Sequence, residues 1–366
     1  MIPVSAPSIT ELEIANVNEA VRSGWVSSKG EFVGEFEKTF ASFCGARFAS
    51  TTANGTVALH LALLSLGIGV GDEIIVPTFT FVGTVSPILY LGAVPVFVDC
   101  DINHWCIDPD QIERKITART KAIIVVHLYG HPTEMQAVRK VAKKHNLFVI
   151  EDAAEAHGAL YRNKTVGALS DVSIFSFYGN KIITTGEGGM VLANNKKIID
   201  KVNVLKNHGM SPSRRYWHPE LGYNYRMTNL QAALGMGQMS RIGPLLAKKR
   251  TISEWYHREL DENLVIFQKE MPWARSVYWM VSVILRPIKN AAQREKLMVE
   301  LMRRGIESRP FFYPVHLFPP FRKYARNERF PVVESIYHRG ICLPSGADIT
   351  EMEVLQVCRE LNSLLA

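Results

Sequence analysis

Between residues 73 and 177, five short and continuously apolar runs alternate with segments of helical character, and that alternation constrains the fold most. The runs cover 73–77, 94–99, 122–126, 147–152 and 174–177. A strand that is apolar along its whole length must be covered on both faces, and strands separated by helices run in one direction. The pattern predicts an α/β fold with a mostly parallel central sheet between layers of helix. Residues 57–66 and 135–145 read as two of those helices, the second with a basic face. Ser8-Ile9-Thr10-Glu11 fits a capping box, and Leu12, Ile14, Val17 and Val21 follow at helical spacing. Around Ile242-Gly243-Pro244 the alternation stops. A long charged helix over 245–260, a strand near 278–285 and helices near 294–304 and 351–365 predict a smaller α+β unit. A length of 366 residues also suggests two units. The expected division is a large domain over 1–240 and a small C-terminal domain over 241–366.

Lys and Arg number 42 against 35 Asp and Glu, a net charge of +7, which raises a nucleic-acid reading. Residues 1–180 hold 14 basic and 18 acidic side chains and residues 181–366 hold 28 and 17, so the excess belongs to the second half. No basic patch interleaved with aromatics accompanies it. Lys140, Lys143 and Lys144, like Lys248, Lys249 and Arg250, read as solvated helix faces. Five scattered cysteines, Cys44, Cys100, Cys106, Cys342 and Cys358, form no CxxC pair and read as free thiols. The N-terminus has no basic stretch followed by an apolar one, and no run of about 18 apolar residues occurs. A soluble, cytoplasmic protein is expected.

In an open parallel sheet, ligands bind at the carboxyl ends of the strands. Asp152 closes one apolar run in Glu151-Asp152-Ala153-Ala154-Glu155-Ala156-His157-Gly158, where an acid reads equally as a helix cap or a functional carboxylate. Lys181 follows the next run in Ser176-Phe177-Tyr178-Gly179-Asn180-Lys181, ahead of the Gly-rich turn Thr184-Thr185-Gly186-Glu187-Gly188-Gly189. A Lys so placed is expected to be partly buried, where its amine can become nucleophilic. Asn54-Gly55-Thr56 precedes an apolar helix whose first amides and dipole favour a phosphate, although helices also start this way simply for capping. Pyridoxal phosphate (PLP) needs these three things: amides for its phosphate, an anion for its pyridinium nitrogen and a Lys for its aldehyde. Phe79 and Phe81 could each stack on its ring or fill the core. His104 and Cys106 have ligand character but no second pair, which argues against a metal site. Gly67-Ile68-Gly69-Val70-Gly71 precedes a strand instead of opening a helix, unlike a dinucleotide loop.

Whole motifs resemble the DegT/DnrJ/StrS family of sugar aminotransferases, which are fold type I, aspartate aminotransferase-like PLP enzymes. Thr52-Ala53-Asn54-Gly55-Thr56-Val57-Ala58-Leu59-His60 resembles the family's phosphate-binding helix start. Val76-Pro77-Thr78-Phe79-Thr80-Phe81-Val82 resembles its ring-stacking segment, which implies Phe81 over the cofactor. The Asp152 and Lys181 motifs are similar to its pyridinium-binding and Schiff-base segments. Gly222-Tyr223-Asn224-Tyr225-Arg226-Met227-Thr228-Asn229 resembles a stretch that crosses a homodimer, so that Asn224 meets the partner's cofactor phosphate. The resemblance runs from Gly24-Trp25-Val26-Ser27-Ser28 to about Arg322. It implies a phosphate held by Gly55, Thr56, Ser176 and Asn224, a ring nitrogen on Asp152 and a covalent bond to Lys181. Many members have Gln where this chain has Glu155, near the cofactor's phenolic oxygen; a Glu there needs a shared proton or a hydroxyl partner. Members with His in place of the Lys are dehydratases, so Lys181 implies transamination.

Arg309-Pro310-Phe311-Phe312-Tyr313-Pro314-Val315-His316 most resembles members that aminate C4 of a GDP-linked 4-keto-6-deoxymannose with L-glutamate, for surface polysaccharide or O-antigen synthesis. Arg309, Tyr313 and His316 are the candidates for the nucleotide-sugar side, the alternative being polar residues left solvated beside a core of Pro and Phe. A UDP- or dTDP-linked keto-sugar is the alternative substrate, and a nucleic-acid-binding regulator on a PLP fold the alternative class. The charge of the second half would then steer a sugar diphosphate.

Overall fold

The computed structural model describes residues 1–366. Helices α1 (Glu11–Arg22) and α2 (Glu31–Cys44) precede strand β1 (Phe48–Thr52). There follow α3 (Gly55–Ser65), β2 (Glu73–Pro77), α4 (Ser86–Tyr90), β3 (Val94–Val98), β4 (Thr120–Val126), α5 (Met135–His145) and β5 (Phe148–Asp152). A hairpin of β6 (Leu160–Tyr161) and β7 (Lys164–Thr165) leads to β8 (Val172–Ser176), β9 (Gly189–Ala193) and α6 (Lys196–Leu205). Two consecutive helices, α7 (Asn229–Ser240) and α8 (Ile242–Glu259), come next. The rest is β10 (Val265–Phe267), β11 (Ala274–Arg275), β12 (Ser282–Leu285), α9 (Ala291–Arg303), β13 (Arg309–Pro310), α10 (Pro331–Ile336), β14 (Gly340–Cys342) and α11 (Glu351–Leu365).

The expected α/β fold is observed. Seven strands form one sheet in the order β1-β9-β8-β5-β4-β2-β3. The five apolar runs are its parallel strands, and β9 runs antiparallel to both β8 and β1. Strands β2 and β8 are buried along their whole length, and in β4 only Lys121 is exposed. Helix α3 is apolar all round because it is wedged between the sheet and the helices α4 and α6. The capping box of α1 is Thr10 with Glu13, not Ser8 with Glu11. Glu13 accepts from the Thr10 N–H at 2.7 Å and hydroxyl at 2.6 Å, and also holds Gln238 and Arg241 beneath α7.

A second apolar core lies between the antiparallel sheet β10-β12-β14-β13 and helices α8, α9 and α11. Its side chains include Tyr256, Val283, Leu301, Ile341, Val357 and Leu361. The strand expected over 278–285 starts only at Ser282. Tyr278 instead has a left-handed backbone (φ 46°), where the chain packs on Tyr129 and Gly130 beyond β4. Lys249 corrects the solvated-face reading of its helix. It is 3% exposed, and its Nζ donates to Trp279 O at 2.8 Å and to Ser345 O. Its neighbour Arg250 is partly buried against Glu270 at 2.8 Å. All five cysteines are free and buried. No helix is long and apolar enough to cross a membrane.

Candidate active site

The carboxyl ends of β2, β4, β5 and β8 open on a cavity of about 780 Å³, whose far wall includes Met280, Arg309, Pro310 and Cys342. At the start of α3, Asn54 Oδ1 accepts the Val57 N–H at 3.0 Å and Asn54 O accepts the Ala58 N–H at 3.1 Å. The Gly55 and Thr56 amides ahead of them have no acceptor in the chain, and both residues line the cavity. Gly55 is there for close approach: a Cβ would stand 2.9 Å from Ser176 Cβ. The helix start and the end of β8 thus form one cradle with two free donors.

Asp152, at the end of β5, is 5% exposed. Its Oδ2 accepts the Thr84 hydroxyl at 2.7 Å and its Oδ1 the Ala154 N–H at 3.1 Å. Burial pushes this carboxyl above its usual range, while those two donors and the nearby Lys181 pull it down. A cationic ring nitrogen beside it would favour the ionised form further.

Lys181 sits in the turn that joins β8 to β9, its side chain 11% exposed. Its Nζ lies 3.8 Å from Glu155 Oε1 and 3.8 Å from the centre of the Trp279 ring. Burial lowers its pKa; Glu155 and Asp152 oppose that effect and Arg309 adds to it. Glu155 Oε2 accepts the Tyr129 N–H at 2.8 Å. Burial pushes the Glu155 carboxyl up to about 7, against the pull of Lys181 and of that N–H. No hydroxyl bonds to it; Lys181 and the Tyr129 N–H are its polar partners.

The structure separates the two candidate aromatic rings. Phe81 is 55% exposed in the cavity wall, whereas Phe79 is buried against Tyr129 and Phe311. Ser176 lines the cavity, its hydroxyl accepting the Tyr178 N–H at 3.4 Å. Asn224 is exposed outside the cavity of its own chain, where Arg226 donates to it at 2.9 Å. Arg309 lines the cavity, with Glu307 its one ion-pair partner at 3.9 Å. Tyr313 and His316 are not brought to the walls. Tyr313 packs on Arg294 and Tyr337, and His316 bonds the Thr78 hydroxyl at 2.6 Å and packs on Phe330. Lys181 and Arg309 are the only basic residues of the walls, beside Asp152, Glu155 and Glu187.

Sequence reasoning missed Thr84, Tyr129 and Trp279. Tyr129 follows the end of β4, where the strand-end rule could have found it. Thr84 and Trp279 carry no local signal and reach the site only through tertiary packing. His131 joins His104 and Cys106, their potential ligand atoms lying within 4.8 Å of one another. The His131 nitrogens are already engaged, Nδ1 with Pro132 O at 2.7 Å and Nε2 with the Met271 N–H at 3.1 Å.

The cavity residues fit PLP: two free amides in a cradle opened by Gly55, a buried carboxylate, an open aromatic face and a nearly buried amine. Known proteins agree with that fit. The chain is 46% identical to the GDP-perosamine synthase of Escherichia coli O157:H7 over 361 residues, covering 99% of this chain and 98% of the relative. It is 45% identical to the GDP-perosamine synthase of Vibrio cholerae over 358 residues, covering 98% and 97%. Among solved structures, the PLP-form of the putative sugar aminotransferase Spr1654 from Streptococcus pneumoniae superposes with a TM-score of 0.94 at 26% identity, covering 99% of this chain and 98% of that one. The family pattern itself spans residues 7–362, around a site of the kind that an amino transfer requires, and this chain therefore belongs to the DegT/DnrJ/EryC1/StrS aminotransferase family.

Proposed function

We propose that this protein is a PLP-dependent aminotransferase that moves the amino group of L-glutamate to C4 of GDP-4-keto-6-deoxy-D-mannose, giving GDP-perosamine and 2-oxoglutarate. One observation carries the reading: the free Gly55 and Thr56 amides, the buried Asp152 carboxylate and the Lys181 amine converge on a single cavity. Relatives 44–46% identical along the whole chain, all named GDP-perosamine synthase, support the choice of sugar.

When bound, PLP supplies an electron sink for the pair left behind as a proton departs from the carbon bearing the amine. Asp152 holds the ring nitrogen in its protonated form, with the Thr84 hydroxyl fixing the carboxylate. Phe81 offers its ring as a stacking face. Gly55, Thr56 and Ser176 take the phosphate, joined by Asn224 of the partner subunit in a homodimer. The exposure of Asn224 away from its own cavity supports that last assignment. Lys181 Nζ would hold the cofactor's aldehyde and, as a free amine, would move the proton from the donor's Cα. Glu155 would lie near the phenolic oxygen, where a shared proton would keep two anions from facing each other. Arg309, in the far wall, is placed to meet an anionic part of the nucleotide sugar, and Tyr313 and His316 belong to the outer part of that side.

Residues 1–240 act as the large cofactor-binding domain and 241–366 as the small C-terminal domain, in a cytoplasmic enzyme of surface polysaccharide or O-antigen synthesis. Mass spectrometry of the products from glutamate with GDP-, UDP- and dTDP-linked 4-keto-6-deoxy sugars tests the reaction. An amino sugar, with a mass about one unit above that of its ketone (C=O replaced by CH–NH2), is expected from the GDP substrate. Exclusive turnover of a UDP- or dTDP-linked ketone would replace the sugar assignment. Lys181→Ala should abolish the visible absorbance of the PLP-loaded protein, and a retained band would sink the role of Lys181.

A further inference from the structure

Four polar contacts converge on one residue that the reaction described above does not use. The indole of Trp279, 4% exposed, presents its face to Lys181 Nζ at 3.8 Å from the ring centre. Its Nε1 donates to the carbonyl of Asn180, the residue just before Lys181, at 2.7 Å. Its backbone N–H donates to Tyr129 O at 2.9 Å, and its carbonyl accepts Lys249 Nζ at 2.8 Å. Tyr129 is the joint of this arrangement. Its backbone is left-handed (φ 54°), its N–H holds Glu155, its C=O holds Trp279, and its ring stacks on the Trp279 ring at 21°. Gly130 lets the two segments meet, since a Cβ there would stand 2.9 Å from Trp279 N. The amine is thus flanked by a carboxylate and an aromatic face, both fixed through the same residue. A ring face attracts an ammonium by its quadrupole, most strongly where water is excluded.

We propose that Trp279 is a positioning residue for Lys181: its indole face holds the amine, whenever it is not bonded to the cofactor, as the proton-moving group of the site. The assignment rests on the reading of Lys181 given above. An amine on a four-carbon stem, released in a cavity of this size, has many rotamers to visit. The Trp279 face and Glu155 Oε1 restrict it to one corner, and the Nε1 bond to Asn180 O ties that corner to the Lys181 backbone itself. The charged groups around the amine are Glu155 and Asp152 from the β5 side and Arg309 from β13. His157 lies behind it, held neutral by burial that pushes its pKa down to about 3.

The test replaces Trp279 by tryptophans carrying one to four ring fluorines in the full-length chain, which keeps shape and N–H while weakening the ring face. The cofactor is removed, Lys181 is acylated with isotope-labelled acetic anhydride across a pH series, and peptide mass spectrometry gives its titration midpoint. The midpoint should fall stepwise with fluorine number, by about half a unit to one and a half units in all. Trp279→Leu should also lower it, and Trp279→Phe should fall between. A midpoint that stays constant through the series, or rises because Trp279 serves only to exclude water, overturns the proposal. If fluorinated proteins take up PLP with normal visible absorbance but show no midpoint change, the Trp279 assignment alone falls. If the unsubstituted chain shows no PLP attachment at Lys181, the reading beneath it falls instead.

Discussion

Replacing Lys249 by Met should change the pH dependence of stability as well as its level. Lys249 is buried in α8 with no carboxylate partner, and its Nζ faces two carbonyls, Trp279 O and Ser345 O. A neutral amine has two N–H donors, one for each. Burial pushes its pKa from 10.5 in the open chain down to about 7 in the fold. For a base lowered in this way, the unfolded chain binds the extra proton between pH 7 and 10.5, so stability rises with pH across that window. Below pH 7 both states are protonated and the folded state carries the whole cost. A full proton of difference between the two states is worth about 1.4 kcal/mol for each pH unit crossed. Between pH 7 and pH 10 the wild type should therefore gain about 3.5 kcal/mol from this one group. Lys249→Met removes that gain and also strands two carbonyls, a pH-independent loss of about 1–3 kcal/mol each. Guanidinium unfolding of both proteins, followed by circular dichroism at pH 7, 8.5 and 10, isolates the effect because every other titration is common to the pair. The wild type should pull ahead of the variant by about 3–4 kcal/mol from the first pH to the last. A difference that is flat with pH, or that shrinks, would mean that Lys249 is charged in the fold and would refute the argument.

Thr84→Val removes the hydroxyl that Asp152 Oδ2 accepts at 2.7 Å, which should raise the Asp152 pKa further. Because Asp152 works ionised, the acid limb of the kcat/KM profile should move up by about one to two pH units, the worth of one hydrogen bond to a charged group. Gly55→Ala puts a Cβ 2.9 Å from Ser176 Cβ and should weaken PLP binding about tenfold or more, as measured by cofactor titration. Arg309→Gln removes one of the two cations of the walls and should raise KM for the nucleotide sugar about 10- to 100-fold, with the visible absorbance unchanged. Initial-rate kinetics check this last outcome.

Much of the site was legible because a parallel sheet gathers its strand ends on one edge. Asp152 and Lys181 are 29 positions apart in sequence, yet the register of β5 beside β8 makes them neighbours by rule. The free amides of α3 were legible for the same reason, as a helix start facing that edge. Apolar runs marked the parallel strands, but β1 (Phe-Ala-Ser-Thr-Thr) lacks that pattern, and β9 (Gly-Met-Val-Leu-Ala), although apolar, continues directly from the Gly-rich turn and escaped notice. Other errors came from contacts that no spacing encodes. Lys249 looked solvated because its partners are carbonyls 30 and 96 positions away. The contact of His316 with Thr78, 238 positions away, is equally invisible in the spacing. Composition gave the least guidance, since of the 28 basic residues from position 181 onward only two line the cavity.

The antiparallel return of β9 beside β8 has a consequence for how such an enzyme can diversify. The Lys181 loop is stitched across its neck, where Phe177 and Gly188 are bonded at 2.8 Å and Thr185 donates to Phe177 O at 2.9 Å. A loop closed in this way keeps the Lys181 backbone in place while other parts of the chain drift. The far wall is anchored separately: Arg309 and Pro310 pair only with Ile341 and Cys342 of the four-stranded sheet. Changes there can reshape what the cavity accepts while the neck of the Lys181 loop keeps its own bonds. Exchanging Arg309 and Pro310 between relatives, with Phe311 and Phe312 kept on Tyr129, is therefore a route to new sugar amines.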